Sequence, residues 1–375
     1  MATINKGDAK ALAVLILFMI ALFTVVMLIA VNCDAANKDY RYLDSTFRKM
    51  ETVAMKEVNF NGRQFSPDAP VKLPKVKDQK NHVWTIRNLI VVGNGLDGSA
   101  TNWEDAHNYQ TFRTINIENA TFYNCDVGLI IQGSHRSYFK QLSFYDCRVG
   151  ARFQLCLEGM ATELQAHLFK DTGIYVGWGF NMAGANRENS QSNNFRIYGF
   201  RSYGIGTGTA LIYNCVYGGL VEGLCDEGWG CDVFLLIDAT NSTTMKSFTA
   251  RQFGDIECHN NDCVVKVIGN GTRVYLSDFY FQVANIVVSG GGNNSSIYIS
   301  QLMNTNVDLK YKNAGTGVNT LWWRFEDVDA KNGSIYNDAN WVIDAKNSKP
   351  NPYAVGQTTN NSGSSRLYEV PPFTK

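Results

Sequence analysis

Residues 120–133 read ATFYNCDVGLIIQG and residues 142–155 read LSFYDCRVGARFQL, one pattern written twice at a spacing of 22. Each copy holds a short apolar run, a polar corner, a glycine and a second apolar run. The second run recurs as GIYVGW at 173–178, and then as TALIYN at 209–214, VFLLID at 233–238, CVVKVI at 263–268, ANIVVS at 284–289 and VDLKYK at 307–312. The first run continues as AHLFKD at 166–171 and in later members such as FRIYGF, FTARQF, LSDFYF, IYISQL and LWWRFE. A period in the low twenties with occasional insertions is the mark of a solenoid. Leucine-rich repeats would add a helical segment to each unit, and propeller blades need roughly 40–45 residues. Two or three short strands per repeat fit a parallel β-helix.

Alternate residues of a strand point to opposite faces. In GARFQL this sends Ala151, Phe153 and Leu155 inward and Arg152 and Gln154 outward; in GIYVGW it sends Ile174, Val176 and Trp178 inward. The same count makes Leu211 and Tyr213 outward residues of TALIYN. Coils stacked about 4.8 Å apart place Phe122 on Phe144 and Cys125 on Cys147, the two thiols free. Asn124 and Asp146 fall at corners, where short polar side chains bond the turn backbone.

The composition agrees with an all-β chain of tight turns. Gly is frequent (33) and Pro scarce (7), and aromatic residues reach 12%. Basic and acidic residues balance at 34 each, which provides no general pull toward nucleic acid. Nine cysteines are an odd number, and several sit at core-like positions, where Cys serves as a small apolar residue.

Over residues 81–346 this pattern resembles the pectin-lyase-like superfamily of right-handed parallel β-helices, which includes phage tailspike bodies. The resemblance rests on strand spacing and stacking. It implies a fold, and catalytic members would carry carboxylates, or calcium-binding Asp clusters with an Arg base, on one outward face. Outward positions of the clearest strand family supply one carboxylate, Asp308, and acid–base glycoside hydrolysis ordinarily needs two. On the neighbouring face Glu118, Lys140 and Glu163 are expected close together with His167 one step along. These make Glu118, Glu163 and His167 the weak catalytic candidates. Cys225 and Cys231, and Cys258, His259 and Cys263, lack the spacing of zinc ligands, so no metal or cofactor is expected. Loops inserted between coils are better candidates for recognition, above all Trp103, Asn186, Arg187, Glu188 and Trp229.

The flanks differ from the repeat. Residues 1–10 are a short polar lead. Residues 11–31, ALAVLILFMIALFTVVMLIAV, carry no charge and are long enough to cross a bilayer as a helix. Lys6 and Lys10 precede this span and Lys38, Arg41, Arg48 and Lys49 follow it, so the positive-inside rule leaves the side of the body open. Residues 32–80 read as a stalk: a short helix from the cap Asp44-Ser45 to about Glu57, with Phe47, Met50, Ala54 and Val58 on the face that covers the first coil, then a Pro- and Lys-bearing linker. Residues 347–375 lose the repeat and read as an extended or flexible tail. The expected partners are a lipid bilayer through 11–31, other protein subunits through the tail and inserted loops, and glycan. The expected function is a membrane-anchored structural or surface component of a larger assembly such as a membrane-containing virion. A membrane-tethered polysaccharide lyase or hydrolase is the alternative.

Overall fold

The computed structural model describes residues 35–51, 56–75, 83–107, 114–203, 208–214, 216–227, 231–240, 247–258, 263–270, 272–284, 288–290, 295–303, 308–312, 321–329, 332–336, 341–346 and 366–369. The chain is an all-β parallel solenoid. Helix α1 (35–51) leads into it. Odd-numbered strands β1 (Glu57–Phe65), β3 (Val83–Val92), β5 (Thr114–Tyr123), β7 (Tyr138–Tyr145), β9 (Met160–His167), β11 (Arg196–Tyr203), β13 (Gly219–Asp226), β15 (Ser247–Cys258), β17 (Arg273–Ala284), β19 (Ser296–Met303), β21 (Leu321–Asp329) and β23 (Trp341–Lys346) stack in order, and β24 (Arg366–Glu369) completes a sheet of thirteen. Even-numbered strands β2 (Val71–Lys72), β4 (Leu96–Gly98), β6 (Val127–His135), β8 (Val149–Leu157), β10 (Thr172–Gly177), β12 (Thr209–Asn214), β14 (Val233–Asp238), β16 (Cys263–Ile268), β18 (Val288–Gly290), β20 (Asp308–Lys312) and β22 (Asn332–Tyr336) stack as a second sheet of eleven. A five-residue helix, α2 (Trp103–His107), lies between β4 and β5. The first rung starts at Glu57, inside the segment read as stalk, and β24 pairs in parallel with β23 inside the segment read as tail. Among the described residues no helix is long and apolar enough to cross a membrane, and the span 11–31 lies outside them.

Strands β3, β5, β7, β9, β11, β13, β15 and β17 each bend in the middle at a residue with left-handed φ, which gives those coils three walls. In β5, Ile115 and Ile117 face in before the bend, and Ala120 and Phe122 after it. The parity changes because Asn119 takes a left-handed φ of 53°. The same column continues through Asn88, Gln141, Glu163, Gly199, Gly223, Gln252 and Asp278, all with positive φ. Asn tolerates this region better than most residues, and here its side chain also stacks. Asn119 Nδ2 donates to Asn88 Oδ1 at 2.7 Å and Asn88 Nδ2 to Asn59 Oδ1 at 2.9 Å.

The expected stacking is present. Phe122 lies on Phe144 with centroids 5.0 Å apart and planes 11° from parallel, and the register pairs the same two residues. That column then receives Ala166, because AHLFKD runs two positions out of step with the copies before it. Cys125 and Cys147 are buried free thiols one rung apart. The hydrogen bond from Cys147, together with burial, pushes the Cys125 thiol well above the ordinary range. At Gly150 an added Cβ would come within 2.3 Å of the Gly173 carbonyl oxygen and 3.1 Å of the Phe144 ring, so the turn into the even sheet has no room for a side chain.

Three inward or outward expectations fail for local reasons. Leu155 has φ 51°, which breaks the alternation, so it leaves the main core for a small cluster with Ala100, Ala106 and Met182, and Cys156 faces in instead. Trp178 lies beyond the end of β10 and packs outside, against Phe180. Leu211 and Tyr213 are wholly buried, because the register sets Thr209 beside Thr172 and Leu211 beside Ile174, one step from the alignment by eye.

Helix α1 closes the first rung. It runs through Asp44 and Ser45 rather than starting there, with Asp44 bonded to Arg48 at 2.7 Å. Phe47 and Met50 are buried as expected, Leu43 joins them, and Val58 packs on the same core from β1. Ala54 lies outside the described residues. Tyr42 stacks on Phe65 at 5.6 Å, and Phe47 meets the Phe60 ring edge-on at 6.2 Å. Asp39 Oδ2 accepts from the Ser66 amide and Glu51 Oε1 from the Lys75 amide, both at 2.9 Å.

Truncating a buried ring loses its transfer energy and leaves a cavity. Phe144→Ala is therefore expected to destabilise the chain by about 3–5 kcal/mol, whereas Tyr123→Ala, on an exposed ring of the adjacent column, costs about 1 kcal/mol or less. Urea unfolding midpoints of the two variants check the contrast. Tyr213 is the reverse case. Its ring packs edge-on against Phe248 at 4.7 Å, its hydroxyl is buried, and among the described residues that hydroxyl has no hydrogen-bond partner. Tyr213→Phe removes an unsatisfied group and is expected to raise stability by about 1 kcal/mol; a loss of stability in the same assay would reveal a partner for the hydroxyl.

Candidate functional site

The outer face before the bend of the odd sheet carries charge in alternation along the axis. Arg87, Glu118 and Lys140 occupy successive rungs of one column. Arg87 bonds Glu118 through Nε at 2.9 Å and also reaches Glu57. Further along the column Arg251 bonds Glu222 at 2.6 Å. Glu118 and Lys140 are therefore neighbours, as expected. Glu163 lies one rung and one position from Lys140 but two rungs from Glu118: it stands in the corner column, where Gln141 Nε2 donates to it at 2.8 Å. Two rungs are roughly 10 Å. His167 lies on the arm past the bend. The three weak catalytic candidates thus occupy three different columns. An outward carboxylate held by an arginine of the next rung is an electrostatic tie along the solenoid.

The outer face past the bend carries a ladder that the sequence reading did not single out as a unit. Tyr123 stacks on Tyr145 at 5.1 Å, Tyr145 on His167 at 4.9 Å, and His167 on Tyr203 at 6.3 Å, with planes within 26° of parallel. The rings cover one another's faces, so what remains outward is a row of ring edges and hydroxyls. Gln165, one column in, bonds the Tyr145 hydroxyl at 3.4 Å and His167 Nε2 at 3.3 Å. Such a rim suits hydrogen bonding to a polar surface more than the stacking of sugar rings. Its signal lay in the matched FY pairs at 122–123 and 144–145, which place one aromatic inside and the next outside.

The inserted loops pack on the even sheet. Asn102 bridges Ala183, and the Trp103 amide donates to the Ala183 carbonyl at 2.9 Å. Trp103 stacks on His107 at 4.5 Å, and its Nε1 donates to the Asn189 carbonyl at 2.6 Å. Asn186 Oδ1 accepts from the Glu188 and Asn189 amides, both at 2.9 Å, and Asn189 Oδ1 accepts from the Asn186 amide at 2.7 Å. Arg187 donates to the Thr240 carbonyl at 2.6 Å and lies 3.5 Å from Asp238. Glu188 is exposed. Trp229 lies outside the described residues. Beneath the loops, Gln132 and Gln154 are buried and bonded to each other at 2.6 Å; Gln132 Oε1 accepts from Ala100 and Gln154 Nε2 donates to Trp178. Trp103 thus joins the two loops, Arg187 fastens its loop to the coil, and Asn186 shapes the turn of its own loop. Among the described residues no group of three His, Cys, Asp or Glu side chains is placed to hold a metal ion.

The chain matches no family model and no curated protein.

Within the ladder, burial lowers the His167 pKa, the Arg201 charge lowers it further, and Glu227 opposes both. The unfolded state binds a proton near pH 6.5 and the folded state binds it only at lower pH. The neutral ring therefore contributes stability that is complete above about pH 6.5 and is lost as pH falls through the lowered folded value. The His167 ring protons are expected to titrate with a midpoint below 6.5, and His167→Phe is expected to flatten this part of the stability profile between pH 7 and 5. A midpoint above 6.5 by NMR would reverse the sign.

Proposed function

We propose that the chain is a membrane-anchored post, a structural or surface component of a larger assembly that works by contact rather than by catalysis. The observation that carries this reading is the use made of outward charge. Arg87 ties Glu118 to Glu57, Arg148 ties Asp126 to Asp171, and Arg136 ties Glu158. Carboxylates held in this way stiffen the column of rungs, whereas a general acid needs a carboxyl released from its cation. The loops point the same way, because their polar groups are bonded to each other and to the even sheet. The tyrosine-rich ladder is the face offered to a neighbour, with protein contact favoured over glycan stacking because the ring faces are covered.

The reading also takes residues 11–31 as the bilayer span and the coil as right-handed, the hand that parallel crossovers adopt, in the manner of pectin-lyase-like and tailspike bodies. A membrane-containing virion is the kind of assembly that needs such a post.

Expression of the full chain and of a chain lacking residues 1–31, followed by membrane fractionation and imaging of native particles, tests the proposal. The full chain is expected in the membrane fraction within a regular multi-subunit array, with the shortened chain released from it. Tyr145→Ala is expected to weaken subunit association about tenfold while leaving the fold intact. Cleavage of a polysaccharide by the purified chain, abolished by Glu118→Gln or Glu163→Gln, would instead establish the tethered enzyme.

A further inference from the structure

Arg152 points outward from β8, between Ile130 on β6 and Tyr175 on β10. The residue is half-buried, and its guanidinium carries five donors. Both carboxylates nearest to it are already engaged: Arg148 holds Asp126 at 2.6 Å and Asp171 at 3.0 Å. Among the described residues the Arg152 side chain makes no hydrogen bond and no ion pair. Its Cζ lies over the Phe180 ring, 5.3 Å from the centroid. Phe180 is 39% exposed and is held edge-on by Tyr175 at 5.3 Å and Trp178 at 6.0 Å. Tyr175 in turn donates its hydroxyl to the Trp178 carbonyl at 3.2 Å, so the aromatic wall is braced from behind.

A charge withdrawn from water without a partner is costly, and the neighbouring Arg148 adds repulsion. An anion at Arg152 would offset both. The planar fork of a guanidinium matches a carboxylate in two parallel bonds, while the exposed part of the Phe180 ring offers apolar contact alongside. The four charges Asp126, Arg148, Arg152 and Asp171 sum to zero, so the patch has no surplus positive charge to hold a dianion. We propose that Arg152 and Phe180 form a binding site for a monocarboxylate borne on a flat, apolar body. This site is separate from the tyrosine-rich ladder and does not depend on the anchored-post reading.

The test is fluorine NMR of para-fluorobenzoate titrated with the full chain in neutral detergent, referenced to empty micelles, with acetate and inorganic phosphate as competitors. Saturable binding near a millimolar Kd is expected, weakened at least tenfold in Arg152→Met, which keeps the apolar stem over Phe180. Acetate should compete weakly and phosphate not at all. Phe180→Leu should narrow the preference for the aromatic acid over acetate. If Arg152→Met fails to fold, Arg152→Lys replaces it, with a several-fold loss expected because a point charge cannot chelate. Absence of saturable binding, or equal affinity in the Arg152 variants, overturns the site. Competition by phosphate as strong as that by acetate overturns the assignment to monocarboxylates.

Discussion

Parallel hydrogen bonding between successive rungs, in register, is the constraint on which everything else in this molecule rests. It puts each residue above its counterpart in the coil before, so one favourable contact becomes a column. Phe122 on Phe144 fills the interior, Asn59, Asn88 and Asn119 line a corner, and Tyr123, Tyr145 and His167 line an outer edge. A slip of one residue would invert every one of these at once. The register is therefore held redundantly, by apolar shape inside, amide ladders at the bend and ion pairs outside. A solenoid also has two open ends, and an unpaired edge invites association. At the first rung α1 covers that edge with Leu43, Phe47 and Met50.

Much of this was legible in the chain because the repeat is nearly literal where it is densest. The 22-residue echo of ATFYNC in LSFYDC encodes both the Phe stack and the thiol pair. Two of the misplacements share a cause. Strict alternation assumes extended backbone, and a residue with left-handed φ shifts parity by one. Leu155 and the bend at Asn119 are such places, and no composition signal marks Leu155 as a corner. Leu211 and Tyr213 face inward because Thr209 pairs with Thr172 rather than Gly173, and a one-residue shift in a strand exchanges inside for outside. The capping face of α1 was readable from the three- and four-residue spacing of Phe47 and Met50, but its start was not, since Asp44 bonds Arg48 within the helix instead of capping it.

The candidate site was less legible, for a different physical reason. Sequence identifies which residues have the chemistry to act, but their availability depends on what the register places beside them. Arg187 and Trp103 look like recognition residues, yet their donors end on the carbonyls of Thr240 and Asn189. Glu118 looks like an acid, yet Arg87 lies directly across the rung boundary. In the other direction, Tyr123 and Tyr145 are ordinary in isolation and become a continuous outer rim only when stacked.

The same rule explains why charge on this solenoid is so nearly self-consumed. Outward columns repeat at strand spacing, so like charges on adjacent rungs would repel at about 5 Å. Alternation of sign relieves that repulsion, as in Glu57, Arg87 and Glu118, and in Asp126, Arg148 and Asp171. Each such zigzag uses one arginine for two carboxylates, which leaves any further arginine nearby without a partner from the coil itself. Arg152 is in that position. An outward cation whose nearest carboxylates are held by another arginine is where a ligand from outside the coil can add an interaction that the fold has not already made.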